Sequence, residues 1–156
     1  MSYFVFGFVD FAADENRALE EESDSVKSCA SAEGLAIELG DTERQPILRE
    51  MRGGYSPKSS IPFLLMRSPD ADTSDSLISP FAQGIEGSLL GVRTVGRWLR
   101  AVFRSPRITS VRIWMTEGYD DAFEEHHLEA ERFADVVSGR IAADGDVPSL
   151  HVSVSR

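Results

Sequence analysis

The stretch GSLLGVRTVGRWLRAVFRSPRITSVRIWM, residues 87–115, carries the clearest periodic signal in the chain. At 100° per residue, Val92, Val95, Trp98, Leu99, Val102 and Phe103 share one arc, and Arg93, Arg97, Arg100 and Arg104 share the opposite one. That spacing predicts an amphipathic helix of about four to five turns, opening at Gly87-Ser88 and ending before Pro106, which cannot continue a helix. At ~1.5–3 kcal/mol for each large side chain fully buried, the apolar arc offers on the order of 10 kcal/mol gross before chain entropy is subtracted. From residue 108 the period changes to two. Val111, Ile113 and Met115 then point one way and Arg112, Trp114 and Thr116 the other, so residues 108–116 read as a strand. The helix is expected to cover a sheet that contains this strand.

Working outward, residues 3–11 are aromatic and β-branched on both alternating faces, with Phe4, Phe6 and Phe8 on one and Val5 and Val9 on the other. That is the pattern of a strand covered on both sides. Residues 14–32 hold helix formers and the acidic run Glu20-Glu21-Glu22 but little to bury, which predicts a marginal helix with a solvated acidic face. Leu35, Ile37 and Leu39 alternate before Gly40-Asp41, giving a short strand and a turn. A brief helix is expected over residues 46–52, a loop at Gly53-Gly54-Tyr55-Ser56-Pro57, and an apolar strand over residues 61–67. Pro62 places that strand at an edge, or itself near the strand's first residue. Residues 68–80, rich in serine, aspartate and proline, read as a long surface loop.

Downstream, Glu117-Gly118-Tyr119-Asp120-Asp121 turns the chain, and residues 123–129 return as a polar strand, completing a hairpin with residues 108–116. Phe133, Val136, Val137 and Ile141 are spaced for one helix face, which Asp144-Gly145-Asp146 ends. Leu150, Val152 and Val154 alternate with His151 and Ser153 in a closing, half-exposed strand. The expected fold is α+β: a mixed or antiparallel sheet of about five to six strands with helices packed on it, in a single globular domain spanning residues 1–156.

A single cysteine, Cys29, excludes an internal disulfide and a zinc site built on paired cysteines. The apolar run at residues 3–9 is too short for a membrane span, follows no basic segment and meets Asp10 at once, so a soluble, cytoplasmic protein is expected. The formal net charge is −10. It is uneven: 12 acids stand against 4 bases in residues 1–50, 4 against 8 in residues 51–107, and 10 against 4 in residues 108–156. A chain this acidic repels nucleic acid and anionic membranes and is steered toward a basic partner.

Apparent chemical motifs fail on spacing. Asp70, Asp72 and Ser74 begin like a calcium loop, but Asp75 stands where glycine is required and Phe81 where a bidentate glutamate is required. His126 and His127 are adjacent and diverge on a strand, so no metal site is expected from them. Gly84, Gly87, Gly91 and Gly96 cluster ahead of and within the central helix, yet match neither a P-loop nor the dinucleotide fingerprint; Gly91 and Gly96 are better read as permitting close packing. No serine sits on a nucleophile elbow, and no catalytic residue or cofactor is assigned. Arg93, Arg97, Arg100 and Arg104 repel one another across successive turns unless acids, or a phosphate-bearing ligand, answer them. The stripe and the glycine cluster therefore define an alternative reading, a small enzyme or ligand-binding domain for a phosphate-bearing small molecule.

Residues 111–121, with Phe123-Glu124-Glu125, resemble a hairpin of small acidic bacterial immunity proteins from polymorphic-toxin and contact-dependent growth inhibition systems. The resemblance covers about 30 residues. It implies a non-enzymatic protein that neutralises a cognate basic toxin domain, often a nuclease, by occluding its site. Glu117, Tyr119, Asp120, Asp121, Glu124 and Glu125 are the expected contact surface, an aromatic anchor within dense negative charge. The arginine stripe departs from a surface that imitates phosphates throughout.

Overall fold

A computed structural model of the chain describes residues 4–12, 16–39, 60–67, 84–116, 123–145 and 149–156. In chain order these form β1 (Phe4–Phe11), α1 (Asn16–Ala32), β2 (Leu35–Leu39), β3 (Ser60–Arg67), α2 (Gly84–Val102), β4 (Ile108–Thr116), β5 (Glu124–Glu129), a 3-10 turn (Ala130–Arg132), α3 (Phe133–Asp144) and β6 (Leu150–Ser155). The strands make one sheet in the order β2-β3-β1-β4-β6-β5. Every neighbouring pair is antiparallel except β5-β6, which is parallel. The fold is α+β with a mixed six-stranded sheet, as the periodicities predict. The brief helix expected over residues 46–52, the loop at residues 53–57, the loop over residues 68–80 with its rejected calcium pattern, and the turn at residues 117–121 lie outside the described residues.

The apolar arc of α2 is buried to the last turn, with Val92, Val95, Trp98 and Leu99 fully inaccessible. It shares one core with Val26 and Ala30 of α1, with Phe133, Val137 and Ile141 of α3, and with the inward residues of the sheet. Those inward residues include Val5 and Val9 of β1, Phe63 and Leu65 of β3, Val111, Ile113 and Met115 of β4, and Leu150, Val152 and Val154 of β6. Trp98 anchors the layer twice: its indole N–H donates to the Val26 carbonyl at 3.4 Å, and its ring meets Phe63 edge-on at 5.2 Å. The helix opens at Gly84, three residues earlier than expected, so Gly84 and Gly87 are helical and form no loop ahead of it. Glycine's cost of ~1 kcal/mol per helical position lowers propensity without forbidding a packed helix. Gly96 faces α3, where an added Cβ would meet the Ala134 Cβ at 3.2 Å, so close packing is its role. α3 ends at Gly145, whose φ of 72° suits a residue without Cβ and whose N–H returns to the Ile141 carbonyl at 2.9 Å.

Two expectations about the sheet are corrected. β4 and β5 do not form a hairpin, because β6 lies between them. The reason is composition. Leu150, Val152 and Val154 are almost wholly buried, whereas β5 reads Glu-Glu-His-His-Leu-Glu, so the apolar strand takes the interior position and the polar one is left at the edge. The 3-10 turn and α3 then supply the crossover that a parallel pair requires. Likewise β3 is interior, between β2 and β1. Pro62 is the third residue of β3, opposite Phe8 in the β1 ladder and outside the β2 ladder, which among the described residues covers residues 63–67.

Candidate functional site

The face of the sheet opposite the helices is organised in rows by the strand register. Phe8, Arg112, Ser153 and His127 form one row across β1, β4, β6 and β5, and Phe6, Trp114, His151 and Glu125 form the next. Phe6, Phe8 and Trp114 are buried. Trp114 stacks on His151 with ring centroids 4.1 Å apart and planes within 9°, while Phe6 stacks and Phe8 packs edge-on against the same indole. In the adjoining row the Asp10 carboxylate accepts hydrogen bonds from Arg112 Nε and Nη2 at 2.8 and 2.9 Å, from Ser110 at 2.8 Å and from Ser60. The Arg112 guanidinium also lies 4.8 Å from the centre of the Phe8 ring.

His151 is the most enclosed imidazole. Burial pushes its pKa below the ordinary histidine value, and Glu125, with Oε1 3.7 Å from Nδ1, only partly opposes that. Among the described residues no hydroxyl or thiol engages its buried Nε2, so the nucleophile-base pair of covalent catalysis is not assembled there. No group of three metal-ligating side chains occurs among the described residues either.

Of the expected contact surface, Glu117, Tyr119, Asp120 and Asp121 fall in residues 117–122, outside the described residues. Glu124 and Glu125 open the edge strand β5 and, being successive, point to opposite faces. Glu124 turns toward α3, where Arg140 Nε donates to it at 2.9 Å and His126 Nε2 lies 3.2 Å away in a poorly aligned contact. The Arg140 hydrogen bond, then His126, holds its carboxyl below the usual carboxylate range. Glu124 is thus engaged within the fold. Glu125 is 70% exposed and shares its face with Glu129, which is also exposed. His126 and His127 diverge as expected.

Arg93, Arg97 and Arg100 on α2, and Arg104 in the turn just past it, are all exposed. Acids answer only part of the stripe. Arg97 Nε donates to Glu33 at 2.7 Å and Nη2 to Thr94 at 3.2 Å, whereas no acid among the described residues lies within ion-pair distance of Arg93, Arg100 or Arg104. Between α1 and α2 runs an open groove of about 510 Å³, lined by Ser28, Cys29 and Ala32 of α1 with Glu33 just past its end, and by Arg97, Arg100 and Ala101 of α2 with Arg104 in the turn that follows it. Arg93 does not line it. The partnership of the stripe with Cys29 and Glu33 has no signature in sequence, since 64 residues separate Arg97 from Glu33. The Trp114-His151 stack escapes sequence reading for the same reason, although both residues show the alternation that puts them on outer faces.

No family model, no curated protein and no solved structure matches this chain.

Proposed function

We propose that this chain is a non-enzymatic binding protein of the immunity type, which neutralises a toxin domain by occluding its basic site. The observation that supports the reading is the acidic edge of the sheet. β5 pairs on one side only among the described residues, and it presents exposed Glu125 and Glu129, with exposed Glu131 and Asp135 following in the turn and the first turn of α3. Glu117, Tyr119, Asp120 and Asp121 immediately precede this edge in sequence and extend the acidic run. On a chain of net charge −10, such an edge steers a basic partner and resists pairing with a second copy of itself. Glu124 is left out of the contact surface, because its charge is spent on Arg140.

The test is co-expression with the product of the adjacent reading frame, followed by association kinetics at low and high salt. Rescue of growth, with an on-rate that falls steeply as salt rises, is the expected result. The combined changes Asp120→Lys, Asp121→Lys and Glu125→Lys are expected to slow association by roughly tenfold or more with a smaller effect on dissociation. An on-rate indifferent both to salt and to these reversals sinks the reading.

A further inference from the structure

The groove between α1 and α2 stands apart from the acidic edge and calls for a different ligand. Arg100 in the last turn of α2 and Arg104 in the turn just past its end are four residues apart, both line the groove, and neither has an acid within ion-pair distance among the described residues. Two guanidinium groups at that spacing repel each other, and a single anion between them removes the repulsion. Arg97 is already committed to Glu33 and Thr94, so among the described residues the positive charge in the groove that no acid answers is that of Arg100 and Arg104.

We propose that this groove binds the phosphate monoester of a small organic molecule. A monoester carries about −1.5 to −2 charges at neutral pH, which matches the two guanidinium groups, and the planar donor forks of these arginines suit its acceptor oxygens. Ala32, Ala101 and Cys29 give the lining small, weakly polar patches on which an organic body can rest. The volume of about 510 Å³ falls within the usual range for small-molecule sites. A polyanion is disfavoured, because the chain as a whole carries −10 and repels an extended phosphate backbone, whereas a small dianion meets only the local field. Glu33 on the rim holds Arg97 in place and caps the negative charge the groove accepts.

The full chain is titrated with phenyl phosphate, followed by phosphorus NMR, and in parallel the rate of Cys29 alkylation by iodoacetamide is measured; Cys29 is the chain's one thiol, so the label reports the groove alone. Saturable binding is expected by ~10 mM, with Cys29 labelling slowed roughly tenfold at ten times the dissociation constant. The double variant Arg100→Gln/Arg104→Gln is expected to lose the binding, and Arg93→Gln, on the same stripe but outside the groove, to keep it. Both sets lie on the exposed face and leave the fold intact, which circular dichroism checks. No saturation by ~10 mM, or unchanged binding in the double variant, overturns the site. Inorganic phosphate bound as tightly as phenyl phosphate overturns the assignment of an organic monoester.

Discussion

Asp10 is expected to hold the centre of the sheet together, and its removal is the sharpest test of how the second face is built. Its carboxylate takes four hydrogen bonds, from Ser60 on β3 and from Ser110 and the Nε and Nη2 of Arg112 on β4, so one side chain ties β1 to each of its neighbours. The two ionic partners are 18% and 25% exposed. Removing one member of a fully buried pair costs ~3–5 kcal/mol, and the residual exposure here lets water recover part of that, so Asp10→Ala is expected to cost about 2–4 kcal/mol. For a domain of this size that is a fall in Tm of roughly 4–16 °C. Urea unfolding followed through the two buried tryptophans, Trp98 and Trp114, reads the change as a lower midpoint at constant slope. Because much of the cost comes from stranding Arg112, adding Arg112→Met to Asp10→Ala is expected to recover at least ~1 kcal/mol. A single variant within ~0.5 kcal/mol of the parent, or strict additivity of the two changes, would refute the reasoning.

Two further outcomes follow from packing and titration. A Cβ on Gly7 would collide with the Arg112 carbonyl oxygen in the neighbouring strand, so Gly7→Ala is expected to cost about 3 kcal/mol or more, whereas Gly139→Ala, in open space on α3, is expected to gain ~0.4–1 kcal/mol; melting temperatures moving the same way for both would contradict this. His151 has a pKa depressed by burial, so the unfolded chain binds its proton more readily than the folded one. Stability from this group is therefore present above its ordinary value of 6.5 and is lost as pH falls from there toward the folded pKa. His151→Phe, which keeps the stack on Trp114, is expected to flatten that part of the decline between about pH 7 and pH 5. Glu124, whose pKa is lowered, gives stability that is present above the carboxylate value of 4.5 and is lost only as pH falls below it, which leaves this window clear. An unchanged slope in the variant would show that His151 is not the group responsible.

The elements themselves were legible because their signals are local. The shift from a period of 3.6 over residues 87–103 to a period of two from residue 108 marks α2 and β4, and the two apolar faces of residues 3–11 mark a strand covered on both sides. The arginine stripe was equally visible, since four residues on one helix face need no tertiary information. What failed was neighbourhood. Adjacency in sequence suggested a hairpin of β4 and β5, but the more apolar β6 displaces β5 from that position.

The sequence by itself determined the α+β class, the helix faces, the polar character of β5 and the separation of acidic ends from a basic middle, all properties of a residue and its near neighbours along the chain. Only the tertiary structure decided which strands meet and which charges are answered. Asp10 meets Arg112 across 102 residues and Arg97 meets Glu33 across 64. Such pairings follow from the closure of the sheet and the layering of helices over it, where burial of apolar strands sets the order, and no local spacing records them.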